Sequence, residues 1–219
     1  VRNPLSSIGL NVEMLEDELD DSSGDARPLL GAIQSEVQRL TEITDTYLRY
    51  VRLPTPELEP ASLRTEVLSC LSFLSPELAE ASVTLEVPEA SDVEIDVQVD
   101  SDQLRQAVIN IVRNAMDALG EVATPRHLQV TFTREDDRVS VRFHDSGPGL
   151  DETVAQQVFE PFVTDKSGGT GLGLSLVHQV VEAHGGEVLV ETHAQPLGGA
   201  AFTITLPANP GGEVGVDAA

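Results

Sequence analysis

Apolar residues in the first fifty positions recur at alternating intervals of three and four, the spacing of one face of an amphipathic helix. The pattern breaks over the polar stretch 20–25 and then resumes, which predicts two helices joined by a short turn. The first set is Leu5, Ile8, Val12, Leu15 and Leu19, and the second is Leu30, Ile33, Val37, Leu40, Thr44, Tyr47 and Val51. One hairpin of this size cannot bury both sets, here called the apolar seam, so residues 1–53 are predicted to form a homodimer with a four-helix bundle. The alternative is that the hairpin packs onto the rest of its own chain.

The pattern changes after a proline-rich stretch. Pro54, Pro56 and Pro60 forbid a continuous helix, so residues 54–60 are predicted to be a linker and a hinge. Beyond it, segments with an apolar residue at every second position predict half-buried strands, and three segments with helical spacing predict helices that cover them. The strands are expected near 83–87, 93–99, 128–132, 139–143, 188–190 and 202–206, and the helices near 62–75, 100–120 and 174–184.

These elements predict an α+β protein, in which the N-terminal helical hairpin precedes a two-layer α/β sandwich over residues 61–207. Residues 208–219 have no pattern and are expected to be a disordered tail. The chain starts at Val1 with neither methionine nor a signal-like segment, and we expect it to be part of a longer protein.

The chain is strongly acidic. Its net charge of −24, from 37 acidic against 13 basic residues, argues against a surface that binds nucleic acid or an anionic membrane. No apolar run approaches the roughly 18 residues of a membrane span, so no membrane contact is expected from this chain. The single cysteine, Cys70, excludes an internal disulfide and fits a reducing compartment, so a cytoplasmic location is expected.

Two glycine-rich turns enclose a polar loop in the second half of the sandwich. The first glycine turn is residues 145–149 (DSGPG), and the second is residues 168–174 (GGTGLGL). The second leads into a predicted helix, and such a turn offers free N–H groups and a positive dipole end to an anion, usually phosphate. Lys166 lies between the two turns, where it could reach phosphate. The alternatives are a flexible surface loop and a solvated lysine.

Amide and acidic side chains line one side of the predicted helix 100–120. Five of them fall within about 80° of arc, away from its apolar side. They are Gln103, Gln106, Asn110, Asn114 and Asp117. Asn and Asp are poor helix formers, so their repetition indicates a face with a function, and amide oxygens suit a hard cation such as Mg²⁺; the alternative is an ordinary solvated face. The histidines without a partner at metal-ligand spacing are interpreted as surface or helix-end residues: His144, His178, His184 and His193.

A carboxylate ends one predicted strand on its inward face. Val139, Val141, Phe143 and Asp145 share one side of that strand, so Asp145 follows three core residues. A buried carboxylate needs a hydrogen-bond donor, which the amino group of a bound base would supply. The alternative is a turn carboxylate at the end of a strand.

Four segments, in order, resemble the nucleotide-binding boxes of sensor histidine kinases. Residues 110–118 (NIVRNAMDA) resemble their N box, 145–149 their G1 box, 159–166 (FEPFVTDK) their F box and 169–174 (GTGLGL) their G2 box. Four boxes at fitting separations make a specific match, which covers about residues 61–207. Residues 2–8 (RNPLSSI) resemble the part of the H box that follows the phosphoacceptor histidine, and that match covers the hairpin.

The resemblance implies a Bergerat-type ATP-binding fold for the sandwich, and dimerisation and histidine phosphotransfer for the hairpin. It implies that the chain binds Mg-ATP and transfers the γ-phosphoryl group to a histidine, and then to an aspartate of a response regulator receiver domain. Asp145 would bind the adenine amino group, and Lys166 would contact the terminal phosphates. Asn114 would be the Mg²⁺ ligand, with Asn110 beside it.

Other residues take implied roles from the same boxes. The second glycine turn would present backbone N–H groups to the phosphates, Asp117 would support the pocket, and Phe159 and Phe162 would anchor a lid. Asn3 would orient the water that dephosphorylates the regulator. The implied catalytic residues are Asn110, Lys166 and Asn3, and the implied nucleotide-binding residues are Asn110, Asn114, Asp117, Asp145, Gly147, Gly149, Phe159, Phe162, Lys166, Gly169, Thr170, Gly171, Leu172 and Gly173.

The chain departs from this family at its start. The family's H box begins His-Glu, a pair that would stand immediately before Val1, and none of the five histidines lies in the first predicted helix. We therefore expect the acceptor histidine just upstream of Val1. The alternative is a natural variant that lacks it.

Other functions use the same superfold. A GHKL-type ATP hydrolase places a Glu general base one helical turn before the Mg²⁺ Asn, where this chain has Asn110, and an amide cannot take a proton from water. A serine kinase that acts on an anti-sigma partner normally lacks the heptad hairpin. A non-catalytic, dimerising ATP-binding module stays open as an alternative.

Overall fold

Two compact units, Val1–Leu53 and Pro54–Ala219, make up the chain. The structure, a computed structural model, describes residues 8, 12, 14–15, 26–51, 53–88, 95–164 and 170–208. Asn3, Lys166, Gly169, the polar break at 20–25 and the tail after 208 lie outside the described residues. In the part of the chain that is described, no helix combines the length and the apolar character needed to cross a bilayer.

The first unit contains the long helix α1 (Ala26–Val51), and Ile8, Val12, Met14 and Leu15 are also helical. Six residues of the predicted apolar seam are 41–56% exposed in the single chain, and these are Ile8, Leu15, Ile33, Leu40, Tyr47 and Val51. Val12 alone among the described seam residues is buried. Much of the seam therefore remains accessible for a further contact.

In the described part of the second unit, seven strands form two sheets. They are β1 (Glu59–Ser62), β2 (Val83–Glu86), β3 (Asp96–Val99), β4 (Arg126–Glu135), β5 (Arg138–Asp145), β6 (Glu187–Glu191) and β7 (Ala201–Pro207). The main sheet has the order β2-β4-β5-β7-β6; β2 is parallel to β4, and the other neighbours are antiparallel. Strands β1 and β3 pair as a separate antiparallel ribbon.

Strand β1 is not predicted from the sequence, because four residues with a central proline carry no periodic signal. Glu59 pairs with Val99, and Ala61 pairs with Val97. The predicted linker 54–60 is therefore wrong at its last two residues, which belong to this ribbon. Pro60 is tolerated because β1 has only one neighbouring strand, so the missing N–H group can face outward.

Four helices belong to the second unit as described: α2 (Leu63–Glu80), α3 (Ser101–Gly120), α4 (Glu152–Ala155) and α5 (Gly173–Ala183). Helix α2 was predicted to end near Ser75, but it continues through Pro76. A proline inside a helix leaves the carbonyl four residues earlier without its donor. Here the Ser75 hydroxyl donates to that carbonyl, Ser72 O, at 2.8 Å, which explains why the helix continues.

Helices α2 and α5 both pack against α3, and all three pack against the main sheet, so the predicted two-layer α/β sandwich is confirmed. The apolar side predicted for α3 is buried throughout, at Leu104, Val108, Ile111, Ala115 and Leu119. The facing side chains of the sheet include Val130, Val141, Phe143 and Ile204 from its central strands, and all are buried. The opposite side of α3 is thereby turned away from this core.

Hydrogen bonds from several elements hold the start of α3. Asp100 caps the helix, since its Oδ1 accepts from the N–H group of Gln103 at 3.1 Å. The Gln103 side chain donates to Pro54 O at 3.0 Å. The N–H group of Asp100 donates to Nε2 of His184, and Oδ2 of Asp100 accepts from the N–H group of Glu57. The first residues of the linker are thus hydrogen-bonded to the start of α3.

Two of the histidines that were interpreted as surface or helix-end residues are buried. His144 is 2% exposed, and its Nε2 lies 2.9 Å from Ala194 O. His184 stands at the end of α5, as expected, but it is also buried, with Nδ1 2.7 Å from Val180 O. The His144 contact joins residues that are far apart in the sequence, which a sequence pattern does not reveal. The His184 contact gives a partner to a carbonyl group at a buried helix end.

We predict that Asp100→Ala lowers the free energy of unfolding by about 1–2 kcal/mol at pH 7, since the variant loses an N-cap. Partial burial opposes ionisation, but backbone N–H donors of Gln103, Glu57 and Asp102 outweigh it and lower the pKa of Asp100. A lowered pKa stabilises the fold above the unfolded-state value of about 3.9, and this contribution is lost as the pH falls through the folded-state value. Urea unfolding at pH 7 and at about pH 3 measures the difference.

Asp100→Asn is the matched control, because asparagine caps helices nearly as well as aspartate. We expect it to retain most of the stability at pH 7. Equal losses in the alanine and asparagine variants, or an alanine effect that persists unchanged at low pH, would contradict the capping account.

Candidate functional site

A cleft of about 240 Å³ opens between the polar side of α3 and the two glycine turns. It brings together residues that are far apart in the sequence. From the predicted site, Asn110, Asn114, Asp117, Asp145, Gly149, Thr170, Gly171 and Gly173 line it. Gly147, Leu172, Phe159 and Phe162 lie in the segments that form its walls, and Asn3, Lys166 and Gly169 are outside the described residues.

Asp145 is buried at the end of β5, with 2% of its surface exposed. Its Oδ1 accepts from the N–H group of Gly147 at 2.8 Å and from that of Ala200 at 3.3 Å. These two donors come from the first glycine turn and from the entry to β7, so they fix the orientation of the carboxylate. The alternative interpretation of Asp145 was a turn carboxylate at the end of a strand, and the bond to Gly147 is a contact of that kind. The same side chain therefore shapes the turn and lines the cleft.

Gly199 was not predicted as a site residue, because its role depends on Asp145, which lies far away in the sequence. A methyl group there would collide with the carbonyl oxygen and with Oδ1 of Asp145. The backbone around Gly199 can approach the carboxylate only because the residue has no side chain. This approach places the neighbouring N–H group of Ala200 within hydrogen-bonding distance of Asp145.

The predicted stripe of amides on α3 divides into two parts. Asn110 and Asn114 are one helical turn apart and line the cleft, with Asp117 beyond them. Gln103 is 6% exposed and contacts Pro54 instead, so it does not belong to the site. The alternative interpretation, an ordinary solvated face, is therefore wrong for this side of α3.

Helix α5 begins at the second glycine turn without a side-chain cap. Its first residue, Gly173, faces α3, since a methyl group there would lie 3.8 Å from Oδ1 of Asn110. Uncapped N–H groups and the helix dipole make such a start an anion site. The N–H group of Leu172 was expected to face phosphate, but it donates to the Thr170 hydroxyl at 3.3 Å.

A backbone hydrogen bond joins the segment of the F box to that of the G2 box. The N–H group of Phe162 donates to Gly171 O at 2.9 Å. Gly171 has a φ of +65°, and a methyl group there would lie 2.7 Å from Cα of Phe162, so this contact requires glycine. Phe159 packs with ring centroids 5.7 Å from His178 and 6.3 Å from Phe202, whereas Phe162 is 61% exposed.

Arg113 also lines the cleft, and it was not predicted because it lies about 100° around α3 from Asn114. Its Nε and NH2 donate to the two carboxylate oxygens of Glu77 on α2, at 3.2 and 2.9 Å. This hydrogen-bonded pair raises the pKa of Arg113 and lowers the pKa of Glu77. The contact could not be read from the sequence, because it joins different helices.

Comparisons with known proteins agree with this architecture. Residues 99–210 match the family of histidine kinase-, DNA gyrase B- and HSP90-like ATPases, and residues 1–56 match the His Kinase A (phospho-acceptor) domain. The chain is 32% identical over 210 residues to sensor histidine kinase ZraS of Escherichia coli K12, and covers 43% of that protein. It is 29% identical to histidine-protein kinase AtoS of the same strain over 97% of this chain and 34% of AtoS.

Solved structures give the same result. Full-length ShkA in complex with AMPPNP matches 94% of this chain and 43% of that chain, with a TM-score of 0.75 and 25% identity. Histidine kinase ThkA in complex with response regulator protein TrrA matches 95% of this chain and 59% of that chain, with a TM-score of 0.70 and 25% identity. This chain spans less than half the length of the curated relatives named above. With a phospho-acceptor-type domain followed by an ATPase-type sandwich in the same order, it belongs to the sensor histidine kinase family.

Proposed function

We propose that the chain is the ATP-dependent core of a protein-histidine kinase. The carrying observation is that one cleft joins an oriented, buried carboxylate, Asp145, to the uncapped start of α5 beside Asn110. The first group suits the amino group of a base, and the second suits phosphate. The complex of the related ShkA with AMPPNP supports a nucleotide of this kind.

Within the proposed complex, α3 lies along the nucleotide. Asp145 accepts a hydrogen bond from the adenine amino group, while the start of α5 and Lys166 bind phosphates. Asn114, with Asn110 beside it, offers amide oxygens that would hold Mg²⁺, and the ion would supply positive charge next to the phosphates. Positioning and charge stabilisation of this kind are what phosphoryl transfer requires of a protein.

Asn110 decides between transfer and hydrolysis in this proposal. It occupies the position where hydrolases of the superfold carry the Glu general base, and an amide cannot accept a proton from water. The γ-phosphoryl group is therefore kept for a stronger nucleophile. A neutral imidazole is such a nucleophile at physiological pH.

The acceptor in this proposal is a histidine just upstream of Val1, and the next acceptor is an aspartate of a response regulator. The related ThkA was crystallised with its response regulator protein, which supports a partner of this class. Asn3 would orient the water that dephosphorylates the regulator. The accessible apolar seam of the first unit and its match to the His Kinase A domain support a homodimer.

We predict that Asp145→Asn weakens binding of Mg-ATP and Mg-ADP by roughly ten- to a hundredfold, the range for losing a hydrogen bond to a charged group. Titration calorimetry measures the loss. Asp136→Asn is the matched control, since it removes the same charge at a turn residue with φ +50°, a conformation that asparagine tolerates. Normal nucleotide binding by Asp145→Asn would refute the role assigned to this carboxylate.

A second prediction concerns the chemistry. A chain extended by His-Glu before Val1 should incorporate label from γ-labelled ATP with Mg²⁺, and the label should be stable in alkali but labile in acid. Replacing the added histidine with glutamine should abolish it, and the chain that starts at Val1 should take up none. An extended chain that binds Mg-ATP but takes up no label would favour the non-catalytic module.

A third prediction concerns assembly. The chain should sediment as a dimer at tens of micromolar, and Leu15→Glu should yield monomers because it places a charge in the seam. Ser35→Glu is the control, since it adds the same charge at an exposed polar position of α1. A monomeric wild-type chain, or equal dissociation of both variants, would count against the proposed bundle.

A further inference from the structure

The charges along the cleft do not match the ligand proposed for it. Asp117, Glu121 and Asp145 bring three carboxylates to its lining, and Arg113 is the only cation among the described lining residues. A polyphosphate is itself an anion, so it needs positive charge as well as backbone donors. Arg113 is therefore the first candidate for an additional contact with phosphate.

The position of Arg113 along α3 agrees with such a contact. Ala118 marks the end near the base-binding carboxylate, since a methyl group on Gly147 would lie 3.3 Å from Cβ of Ala118. Asn110 marks the other end, where α5 begins. Arg113 lies between them, about 7.5 Å along the helix axis from Ala118. This is the stretch that a nucleotide's phosphates would occupy if its base met Asp145.

The present partner of Arg113 is exchangeable. The Arg113 and Glu77 side chains are 54% and 42% exposed, and their contact is a bidentate pair at the rim of the cleft. Exposed ion pairs contribute only modestly to stability even where the geometry is bidentate, because water solvates both partners well, so the guanidinium can change its partner. The planar guanidinium fits two phosphate oxygens as well as it fits two carboxylate oxygens.

We propose that Arg113 binds the nucleotide's polyphosphate by exchanging Glu77 for phosphate oxygens. This inference rests on the proposed function, which it extends to a residue outside the predicted site. Glu77 then acts as a competitor that occupies the guanidinium while the cleft is empty. The affinity for nucleotide depends on a carboxylate of α2 that never contacts the ligand.

The test compares two variants that remove the same ion pair from opposite sides. Arg113→Gln should weaken Mg-ATP binding about five- to tenfold, because a charge-assisted contact is lost. Glu77→Gln should tighten it about two- to threefold, because the competitor is gone. Adenosine, which has no phosphate, should bind all three proteins equally. Calorimetry gives the Mg-ATP affinities, and competition with Mg-ADP gives those for adenosine.

Arg105→Gln is the matched control, since Arg105 lies on the same helix, pairs only loosely with Asp102 at 4.0 Å and is outside the cleft lining. It should leave Mg-ATP affinity unchanged. A purely structural ion pair would lower the melting temperature of both pair variants and shift their Mg-ATP affinities in the same direction, or not at all. Either result would overturn the exchange.

The outcome for the wild-type chain separates the two proposals. If the wild-type chain binds Mg-ATP and Arg113→Gln binds it with the same affinity, only the role of Arg113 is overturned. Equal losses of Mg-ATP and adenosine affinity in Arg113→Gln would also overturn it, because phosphate recognition requires a difference between the two probes. A wild-type chain that binds no Mg-ATP would overturn the proposed function together with this inference.

Discussion

The buried carboxylate of Asp145 connects the parts of the second unit that form the cleft. Its hydrogen bonds to Gly147 and Ala200 join the end of β5, the first glycine turn and the entry to β7. The close approach depends on Gly199, whose position has no room for a side chain. A polar group at the end of a hydrophobic strand is costly unless donors surround it, so local backbone geometry and the carboxylate depend on each other. The carboxylate can stay buried at this position because backbone N–H groups donate to it.

Local periodicity was sufficient to predict the three long helices of the second unit and most strands from the sequence, but not the short helix α4, whose four residues carry no periodic signal. The apolar side of α3, from Leu104 to Leu119, and the alternation that leads to Asp145 follow directly from repeats of 3.6 and 2. Features that depend on partners distant in sequence were not predictable: the pairing of β1 with β3, the Pro54 contact of Gln103, and the burial of His144. The continuation of α2 past Pro76 depends on the hydroxyl of one neighbouring serine, a detail that propensities do not contain.

The candidate site shows the same division. Its asparagines, glycines and central carboxylate are recognisable because each residue type is unusual at its position, such as Asn110 in mid-helix or glycine before α5. Arg113 has no such signal, since arginine is common on exposed helix faces. Its contact with Glu77 joins two different helices and leaves no trace in a sequence pattern. In a chain with a net charge of −24, the proposed anion binding would rely on backbone dipoles and very few cations rather than on a basic surface.

The backbone bond between Phe162 and Gly171 has a consequence for how the family can diversify. The bond fixes two anchor points, residues 162 and 171, close to the start of α5. The entropy of closing a loop grows only logarithmically with its length, at about 0.6 kcal/mol per doubling, so a change in the number of residues between the two anchors costs the folded domain little. The anchors themselves have no such freedom, because a side chain at Gly171 would collide with the backbone of Phe162. Length in this segment can therefore vary while the two ends stay in place.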